Sequence, residues 1–288
     1  MNLPLVSVCI PTRNGAKYIE ETLNCVFQQD YRPLELIISD DESSDGTVQI
    51  ILNTINNWNI TVSVYHHTPS IIGANWNNCV KMARGKYIKF LFQDDLIYSN
   101  CISEMVALSE KDDRIGLTFS NRDVIGDLKD KADWLHRYEN LSIKWDELKS
   151  IQEGKSLLKQ RNFLKTPRNK IGEPTVVMLK RQCFEEVGFF SEELKQTLDY
   201  EYWYRLLPKY KIGFINEKLA AFRLHDNQAT QHNLSGLEDE YLIYYKSIYK
   251  SNFRYLSWYN KVKIIFKIFT LTLRHRHGNT WVSFLKLL

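Results

Sequence analysis

The stretch from Lys86 to Tyr98 reads KYIKFLFQDDLIY and contains the clearest buried strand of the chain. Its first half is a nearly continuous apolar run, which is typical of a strand buried on both faces of a parallel sheet. The run ends at Asp94 and Asp95, two adjacent carboxylates that repel each other and need a cation or hydrogen-bond donors nearby. Ligands bind at this end of the strands in open α/β sheets. A turn facing solvent would also accommodate an isolated Asp-Asp pair. The neighbouring strands therefore show whether this pair is isolated or belongs to a site.

The segments before this strand alternate between strands and helices. The predicted strands are Val6–Ile10, Leu34–Ser39 and Ile60–His66, and the predicted helices are Tyr18–Phe27, Thr47–Ile55 and Asn75–Ala83. This alternation predicts a mostly parallel α/β sheet of the Rossmann-like kind, flanked by helices, with its loops gathered at one edge.

Composition favours a folded protein of the cytoplasm. The chain has 288 residues, of which 44% are hydrophobic and 25% charged, which is ordinary for a globular domain. Its five cysteines are widely spaced, with no CxxC pair and no zinc-ligand spacing, which indicates reduced thiols. The N-terminus leads directly into a strand, and no signal-peptide pattern precedes it.

Acidic loops set the expected site apart from two common nucleotide sites. No GxGxxG follows the first strand and no GxxxxGK[ST] occurs in the sequence, which disfavours nicotinamide and P-loop chemistry. Acids instead follow two strands, as Asp40-Asp41 and Asp94-Asp95. Carboxylate and phosphate oxygens are hard ligands, so this edge predicts a diphosphate site bridged by Mg²⁺ or Mn²⁺.

Three segments in order carry a family resemblance. They read SVCIPTRNGAKYIEETLNCVFQQDY, LELIISDDESSDGT and GANWNNCVKMARGKYIKFLFQDDLI, within about the first hundred residues. Together they resemble the nucleotide-binding half of the inverting glycosyltransferases of family 2, which have the GT-A fold. The chain departs from the family pattern at Glu42, where the family prefers Gly, and at Gln93, where it often has Ser, Asp or Thr.

The resemblance implies roles for five residues of this half. It places Asp41 at the imide N–H of a pyrimidine base, Asp94 by the ribose and metal, and Asp95 on the divalent cation. Pro11 and Arg84 match positions that line the nucleotide pocket. For Arg84 the residues leave a second interpretation open, a cation that closes the preceding helix.

The second half of the chain resembles the acceptor side of the same family. The segments GEPTVVMLKRQCFEEVGFFSEEL and TLDYEYWYRLL carry this match. The resemblance makes Asp199 the catalytic base and places Glu201, Trp203 and Arg205 at secondary or acceptor-side positions. Leu198 stands where the family usually has Glu. An amphipathic helix would explain the aromatic residues, but not an acid at its start.

One histidine completes the predicted site. Arg223-Leu224-His225 matches a family motif whose histidine joins the metal or the leaving diphosphate, so the resemblance makes His225 a metal-site residue. A strand is predicted at Ile115–Ser120, while residues 127–168 form a charged insert with helical stretches and no motif.

We therefore predict a GT-A domain at residues 1–245, with a nucleotide-binding half at 1–100 and an acceptor half at 101–245. The predicted activity is metal-dependent inverting transfer from a UDP- or dTDP-sugar to a hydroxyl of a growing, lipid-linked surface glycan of the O-antigen or capsule type. The alternatives are an inactive nucleotide-sugar-binding scaffold and a sugar nucleotidyltransferase. The predicted partners are the donor, the glycan acceptor and a membrane surface or a second copy of the chain, but no nucleic acid.

The remaining segment, residues 246–288, is a basic helical extension. It contains nine Lys and Arg residues and no Asp or Glu, interleaved with large apolar side chains. No apolar run reaches the roughly 18 residues that a bilayer-spanning helix needs. Two interpretations remain open: an interfacial helix on anionic lipid at the inner face of the cytoplasmic membrane, or a helix that packs on the domain or a second subunit.

Overall fold

Nine strands form one mixed sheet in the computed structural model, which describes residues 3–225 except 57, 67, 69 and 130, and residues 237–277. The strands are β1 (Val6–Thr12), β2 (Leu34–Asp40), β3 (Thr61–His66), β4 (Tyr87–Phe90), β5 (Leu96–Ile97), β6 (Ile115–Gly126), β7 (Ile151–Glu153), β8 (Val177–Lys180) and β9 (Lys211–Leu224). Their order is β3-β2-β1-β4-β8-β6-β9-β5, and β7 pairs with β9.

Helices pack on this sheet, and the described region ends in two further helices. They are α1 (Ile19–Phe27), α2 (Thr47–Ile55), α3 (Ile72–Met82), α4 (Cys101–Ser109), α5 (Ala132–Tyr138), α6 (Gly154–Lys159), α7 (Gln182–Val187), α8 (Leu198–Leu206), α9 (Leu237–Asn252) and α10 (Trp258–His277). None of the helices in the described ranges is long and apolar enough to cross a membrane.

Strand direction determines where the functional loops meet. β1 to β4 run parallel, β8 is antiparallel to both β4 and β6, and β6 is parallel to β9. The carboxyl ends of β1, β2, β4, β6 and β9 therefore gather at one edge of the sheet, which we call the carboxyl edge. The predicted α/β sheet with flanking helices is confirmed: its principal strands run in one direction, and β5, β7 and β8 are its antiparallel members.

The parallel strands are buried throughout, as their apolar runs predict. Every residue of β1 and β2 is buried, in a register that runs from Val6 opposite Leu34 to Thr12 opposite Asp40. Burial on both faces leaves no polar face, which is why these strands lack alternation in the sequence.

The strand predictions were least accurate in the middle of the chain, where β6 and β7 lie. β6 continues six residues past the predicted end at Ser120, and β7 was not predicted. The extension of β6 is polar and irregular, and it is stabilised by its pairing with the last residues of β9, far away in sequence. Such tertiary support has no local signal in the chain.

The predicted division at residue 245 falls inside a helix. α9 spans this point, with Tyr244, Tyr245 and Ile248 almost fully buried. Asn252 at its end donates to the carbonyl of Tyr204 in α8 at 2.9 Å. The helix therefore belongs to the packed domain, and the basic extension begins within it; residues 278–288 of that extension lie outside the described residues.

Candidate active site

The residue predicted to read the base lies at the carboxyl edge. Asp41 follows β2, and its Oδ1 accepts a hydrogen bond from the backbone N–H of Ser70 at 3.2 Å. Its Oδ2 lies 3.4 Å from the exposed guanidinium of Arg13. Pro11 is buried near the end of β1, two residues before Arg13. The structure thus brings Asp41 and Pro11 to the same edge, and their roles in nucleotide binding stay predictions.

The loop after β2 shows why the family prefers glycine at the position of Glu42. Asp40 is buried and accepts hydrogen bonds from Thr12 Oγ1 at 2.8 Å and Ser43 N at 2.9 Å, which close the loop. Between these anchors Glu42 has a φ of +53°. That left-handed conformation costs a residue with a Cβ atom about 1–2 kcal/mol, which is why glycine suits this position.

Gln93, the second departure, fixes the loop after β1. Its Oε1 accepts from the Arg13 N–H at 2.9 Å and its Nε2 donates to the Arg13 carbonyl at 3.0 Å. A Cβ atom on Gly15 would lie 2.3 Å from Gln93 Oε1, so a larger residue there would displace the Gln93 side chain from these two hydrogen bonds. The glutamine therefore holds Arg13 beside Asp41.

Asp94 and His225 meet at the carboxyl edge. Asp94 Oδ2 lies 2.8 Å from His225 Nε2, and both side chains are partly exposed. The His225 ring is 5.1 Å from the Tyr18 ring, and the Arg223 guanidinium lies 4.7 Å from the centre of that ring. Arg223 also pairs with Glu21 at 2.7 Å. A partly exposed carboxylate and an imidazole in contact are a pair of ligands that Mn²⁺ accepts.

Asp95 has a different environment from Asp94, and its predicted role as a metal ligand stays a prediction. Its side chain is buried, with Oδ2 accepting from Thr175 Oγ1 at 2.6 Å and Oδ1 from the Arg223 N–H at 2.9 Å. Burial, followed by the neighbouring Asp94 charge, raises the pKa of Asp95 well above its usual range. Both oxygens thus tie the segment just before β5 to β9 and to Thr175, and Asp94 is the more exposed of the two acids.

Arg84 lies at the opposite edge of the sheet. Its Nε donates to Glu35 Oε2 at 3.0 Å and its backbone N–H donates to Glu35 Oε1 at 2.7 Å. Glu35 is at the amino end of β2, and Arg84 precedes β4. The predicted place of Arg84 in the nucleotide pocket is therefore wrong, because strand direction separates it from Asp41 and Asp94; the alternative interpretation, a cation just after the helix, describes its position.

The predicted base lies at the start of α8. Asp199 Oδ2 accepts a hydrogen bond from Asn169 Nδ2 at 2.9 Å. Its Oδ1 is buried and, within the described residues, has no hydrogen-bond partner. Burial raises the pKa of Asp199 to about 8. A carboxylate with one free, poorly solvated oxygen and a pKa near neutrality can accept a proton from a substrate hydroxyl.

Three further predicted residues of α8 face the protein interior. Glu201 is buried and accepts a hydrogen bond from Ser247 of α9. Trp203 is fully buried and donates from Nε1 to the Gly172 carbonyl at 3.0 Å. Arg205 pairs with Glu201 at 2.8 Å and donates to the carbonyls of Val187, the last residue of α7, and Phe189. In this structure these residues hold α8 in place, and their predicted acceptor-side role stays a prediction.

A short segment before β8 links the two acidic centres. Thr175 holds Asp95, while the carbonyl of Gly172 accepts from Asn169 Nδ2 at 3.0 Å. The same Asn169 amide orients Asp199. The carboxyl edge and the base are thus joined through four residues, which span at most about 14 Å when extended.

Sequence reasoning missed Asn169 and Thr175. Asn169 Oδ1 accepts from the N–H groups of Ile171 and Gly172 at 3.2 and 2.9 Å, an Asx turn. Asn followed by Gly three residues later is a turn signal that could have located it. Thr175 had no signal, because its partner Asp95 is 80 residues away.

The fold and these acids define the class of GT-A glycosyltransferases, and comparisons with known proteins agree. Residues 7–188 match the model of glycosyl transferase family 2, and the chain belongs to this family. The match includes the acids of the carboxyl edge and ends before α8. The predicted glycosyltransferase identity is confirmed.

Curated bacterial relatives match most of the chain. Uncharacterized protein MT1568 of Mycobacterium tuberculosis is 29% identical over 221 residues, which cover 76% of this chain and 67% of the relative. Uncharacterized glycosyltransferase RT0329 of Rickettsia typhi is 28% identical over 238 residues, covering 82% and 69%.

Solved structures share the fold at low sequence identity. TarS 1–349 of Staphylococcus aureus in complex with UDP-GlcNAc has a TM-score of 0.69 and 19% identity, covering 96% of this chain and 74% of that one. The mannosyltransferase PcManGT of Pyrobaculum calidifontis, in complex with GDP-Man and Mn²⁺, has a TM-score of 0.65 and 15% identity, covering 100% and 79%.

Proposed function

We propose that the protein is an inverting glycosyltransferase that transfers a sugar from a UDP- or dTDP-sugar to a hydroxyl of a lipid-linked surface glycan. The observation that carries this proposal is the Asp199 carboxylate, oriented by Asn169 at 2.9 Å and joined through Gly172 and Thr175 to the carboxyl edge. Donor and acceptor would thus meet between Asp94 and Asp199.

The reaction is a single displacement. The acceptor oxygen forms a bond to the anomeric carbon from the face opposite the diphosphate, and the bond between that carbon and the phosphate oxygen breaks. The electron pair of the broken bond leaves with the nucleoside diphosphate. Asp199 takes the acceptor proton when it is deprotonated, and its raised pKa makes it a stronger base than an ordinary carboxylate.

Asp94 and His225 fit a divalent cation. Their contact of 2.8 Å places a carboxylate oxygen and an imidazole nitrogen together at the open edge. No group of three or more His, Cys, Asp or Glu side chains suited to a metal is found in the described part of the chain. Mg²⁺ and Mn²⁺ are commonly held by one or two side chains plus substrate phosphates, so two protein ligands suffice. Such a cation would neutralise charge on the diphosphate.

In this proposal Asp41 selects the nucleotide base of the donor. A carboxylate acceptor prefers uracil or thymine, which present an N3–H group, over cytosine, which does not. The UDP-GlcNAc bound by TarS supports a uridine donor.

One experiment tests both the reaction and the base. The protein is incubated with a panel of UDP-, dTDP- and CDP-sugars and Mn²⁺, and the released nucleotide is identified. We expect UDP or dTDP release from one donor and at least about tenfold weaker binding of CDP than of UDP, equivalent to about 1.4 kcal/mol. Release of pyrophosphate would identify a nucleotidyltransferase, and no turnover with any donor would favour a scaffold. Equal affinity for CDP and UDP would contradict the role of Asp41.

Membrane attachment would bring the site to a lipid-linked acceptor, and α10 offers a surface for it. Trp258, Phe266 and Phe269 are 80%, 61% and 59% exposed, and Val262 and Ile265 are half exposed beside them. Their spacing places all five on one face of the helix. The opposite face packs on the domain, since Ile264 is fully buried. This outer apolar face, in a segment rich in Lys and Arg, suits an interfacial helix on anionic lipid.

Vesicle co-sedimentation tests this attachment. The full chain should pellet with phosphatidylglycerol vesicles, and less so in high salt, because each basic residue near the surface contributes about 1 kcal/mol. Phe266→Ser/Phe269→Ser should remain in the supernatant, whereas Leu52→Ser, a similarly exposed residue of α2, should pellet like the wild type. If the double variant instead changes the oligomeric state and the wild type ignores vesicles, the face is an interface between copies of the chain.

A further inference from the structure

We propose that Lys165, Arg168, Lys263 and Lys267 form a binding site for a phosphate group of the acceptor. These four residues are called the cationic cluster below. The inference rests on the proposed glycosyl transfer and adds the class of acceptor, one that carries a phosphodiester or diphosphate linkage.

Helix α10 brings two of the cations to the loop that follows α6. Asn260 is buried, and its Nδ2 donates to the carbonyls of Leu158 at 3.3 Å and Gln160 at 2.8 Å. Lys263 and Lys267 follow Asn260 by three and seven residues. Residues at these spacings share a face of a helix, so both lysines lie on the side of α10 that meets this loop.

The loop itself is fixed from inside the protein. Lys170 is fully buried, and its Nζ donates to the carbonyls of Phe163 at 3.2 Å, Lys165 at 2.6 Å and Pro167 at 2.6 Å. Three carbonyls directed at one ammonium group hold the backbone that carries Lys165 and Arg168. The cluster therefore has a rigid backbone on the loop side.

Aromatic rings hold the guanidinium of Arg168. It lies 3.8 Å from the centre of the Tyr241 ring, and its Nε donates to the Tyr245 hydroxyl at 3.0 Å. Stacking of this kind orients a guanidinium without neutralising it. Arg168 is thus a preorganised, half-buried cation.

The cluster has no counter-charge within the described residues. None of its four members makes an ion pair there with an Asp or Glu carboxylate. Burial, followed by Lys165 and Arg168, lowers the pKa of Lys263; burial, followed by Arg168 and Lys263, lowers the pKa of Lys267. Like charges held together in a partly desolvated place are unfavourable, and a bound anion would relieve their repulsion.

The position of the cluster indicates the substrate it serves. Arg168 is followed directly by Asn169, which orients the base Asp199 at 2.9 Å. The donor diphosphate is assigned to Asp94 and His225 at the carboxyl edge. An anion site beside the base therefore belongs to the acceptor side. A phosphate within a soluble glycan and a phosphate of a lipid headgroup have the same chemistry for such a site.

Calorimetry with inorganic pyrophosphate tests the cluster without an acceptor. The full chain is titrated in metal-free buffer, and the affinity is compared with that of Lys263→Gln/Lys267→Gln. We expect the double variant to bind pyrophosphate about tenfold more weakly or worse, and high salt to weaken wild-type binding. Lys261→Gln, on the same helix but outside the cluster, and Asp94→Asn, at the donor site, should both bind like the wild type.

Two further arms separate the explanations. Binding to phosphatidylglycerol vesicles is compared for the wild type and the double lysine variant, with and without pyrophosphate. If the variant loses vesicle binding and pyrophosphate competes with the vesicles for the wild type, the ligand is a lipid phosphate. If vesicle binding is unchanged while the variant binds pyrophosphate more weakly, the ligand is a phosphate of a soluble glycan. UDP titration with Mn²⁺ reports separately on the donor site, so its failure would count against the glycosyl transfer alone. Pyrophosphate affinity that is equal in the wild type and the double variant would overturn the cluster as a phosphate site.

Discussion

Replacing Asp199 with asparagine should lower turnover by about a hundredfold or more while leaving the affinity for UDP unchanged. Asparagine keeps the shape of the side chain and can still accept the hydrogen bond from Asn169, which is 2.9 Å long in the wild type. It cannot take the proton of the acceptor hydroxyl. Initial rates of UDP release and calorimetry with UDP would measure the two quantities.

The pH dependence gives this prediction a second readout. Asp199 acts as a base when it is deprotonated, so wild-type kcat/KM should rise with pH through the raised pKa of about 8. This rise of kcat/KM with pH should be absent from the residual activity of Asp199→Asn. A wild-type profile that is flat between about pH 6 and 9 would contradict the assignment of the base.

The same carboxylate should cost stability at neutral pH. Its folded pKa of about 8 exceeds the unfolded value of about 3.9. The native state therefore holds the proton more tightly, and the stability this confers is complete below about pH 4 and is lost as pH rises towards 8. Asp199→Asn should consequently melt at a higher temperature than the wild type at pH 8, with a smaller difference at pH 5. Glu201→Gln is the matched control on the same helix, and retained turnover in Asp199→Asn together with loss in Glu201→Gln would transfer the role of base to Glu201.

The sequence predicted which segments would meet, because hydrophobic runs report strand burial directly. The runs at Val6 and Leu34 became fully buried parallel strands, and strand direction then carried their loops to one edge. Motif order also placed Asp94 and His225 together, although they are 131 residues apart. The extension of β6 to Gly126 was missed, because its partner residues in β9 are distant and its own residues are mixed in polarity.

The orientation of individual side chains could not be predicted in the same way. Asp94 and Asp95 are adjacent and chemically identical, and Arg223 N–H at 2.9 Å from Asp95 Oδ1 determines which of them is buried. That contact depends on the register between β9 and β5, the strand that directly follows Asp95, and the sequence does not determine this register. Arg84 belonged to a matching motif, yet it precedes β4 and so points to the opposite edge, where Glu35 binds it.

Metal-dependent donor binding should be lost when Asp94 is replaced with asparagine. Asp94 Oδ2, 2.8 Å from His225 Nε2, is the open carboxylate of the carboxyl edge, and an amide is a much weaker ligand for Mn²⁺. Calorimetry with UDP in Mn²⁺ should show affinity at least about a hundredfold weaker than wild type, equivalent to about 2.7 kcal/mol. In metal-free buffer the variant and the wild type should bind UDP alike. Asp95→Asn provides the matched control, since its oxygen can still accept from Arg223 N–H while Thr175 Oγ1 can accept from the new amide; it should keep metal-dependent UDP binding within a few-fold. The reverse pattern, with binding lost in Asp95→Asn and kept in Asp94→Asn, would return the metal to Asp95 and require the bonds that now occupy both of its oxygens to open when the donor binds.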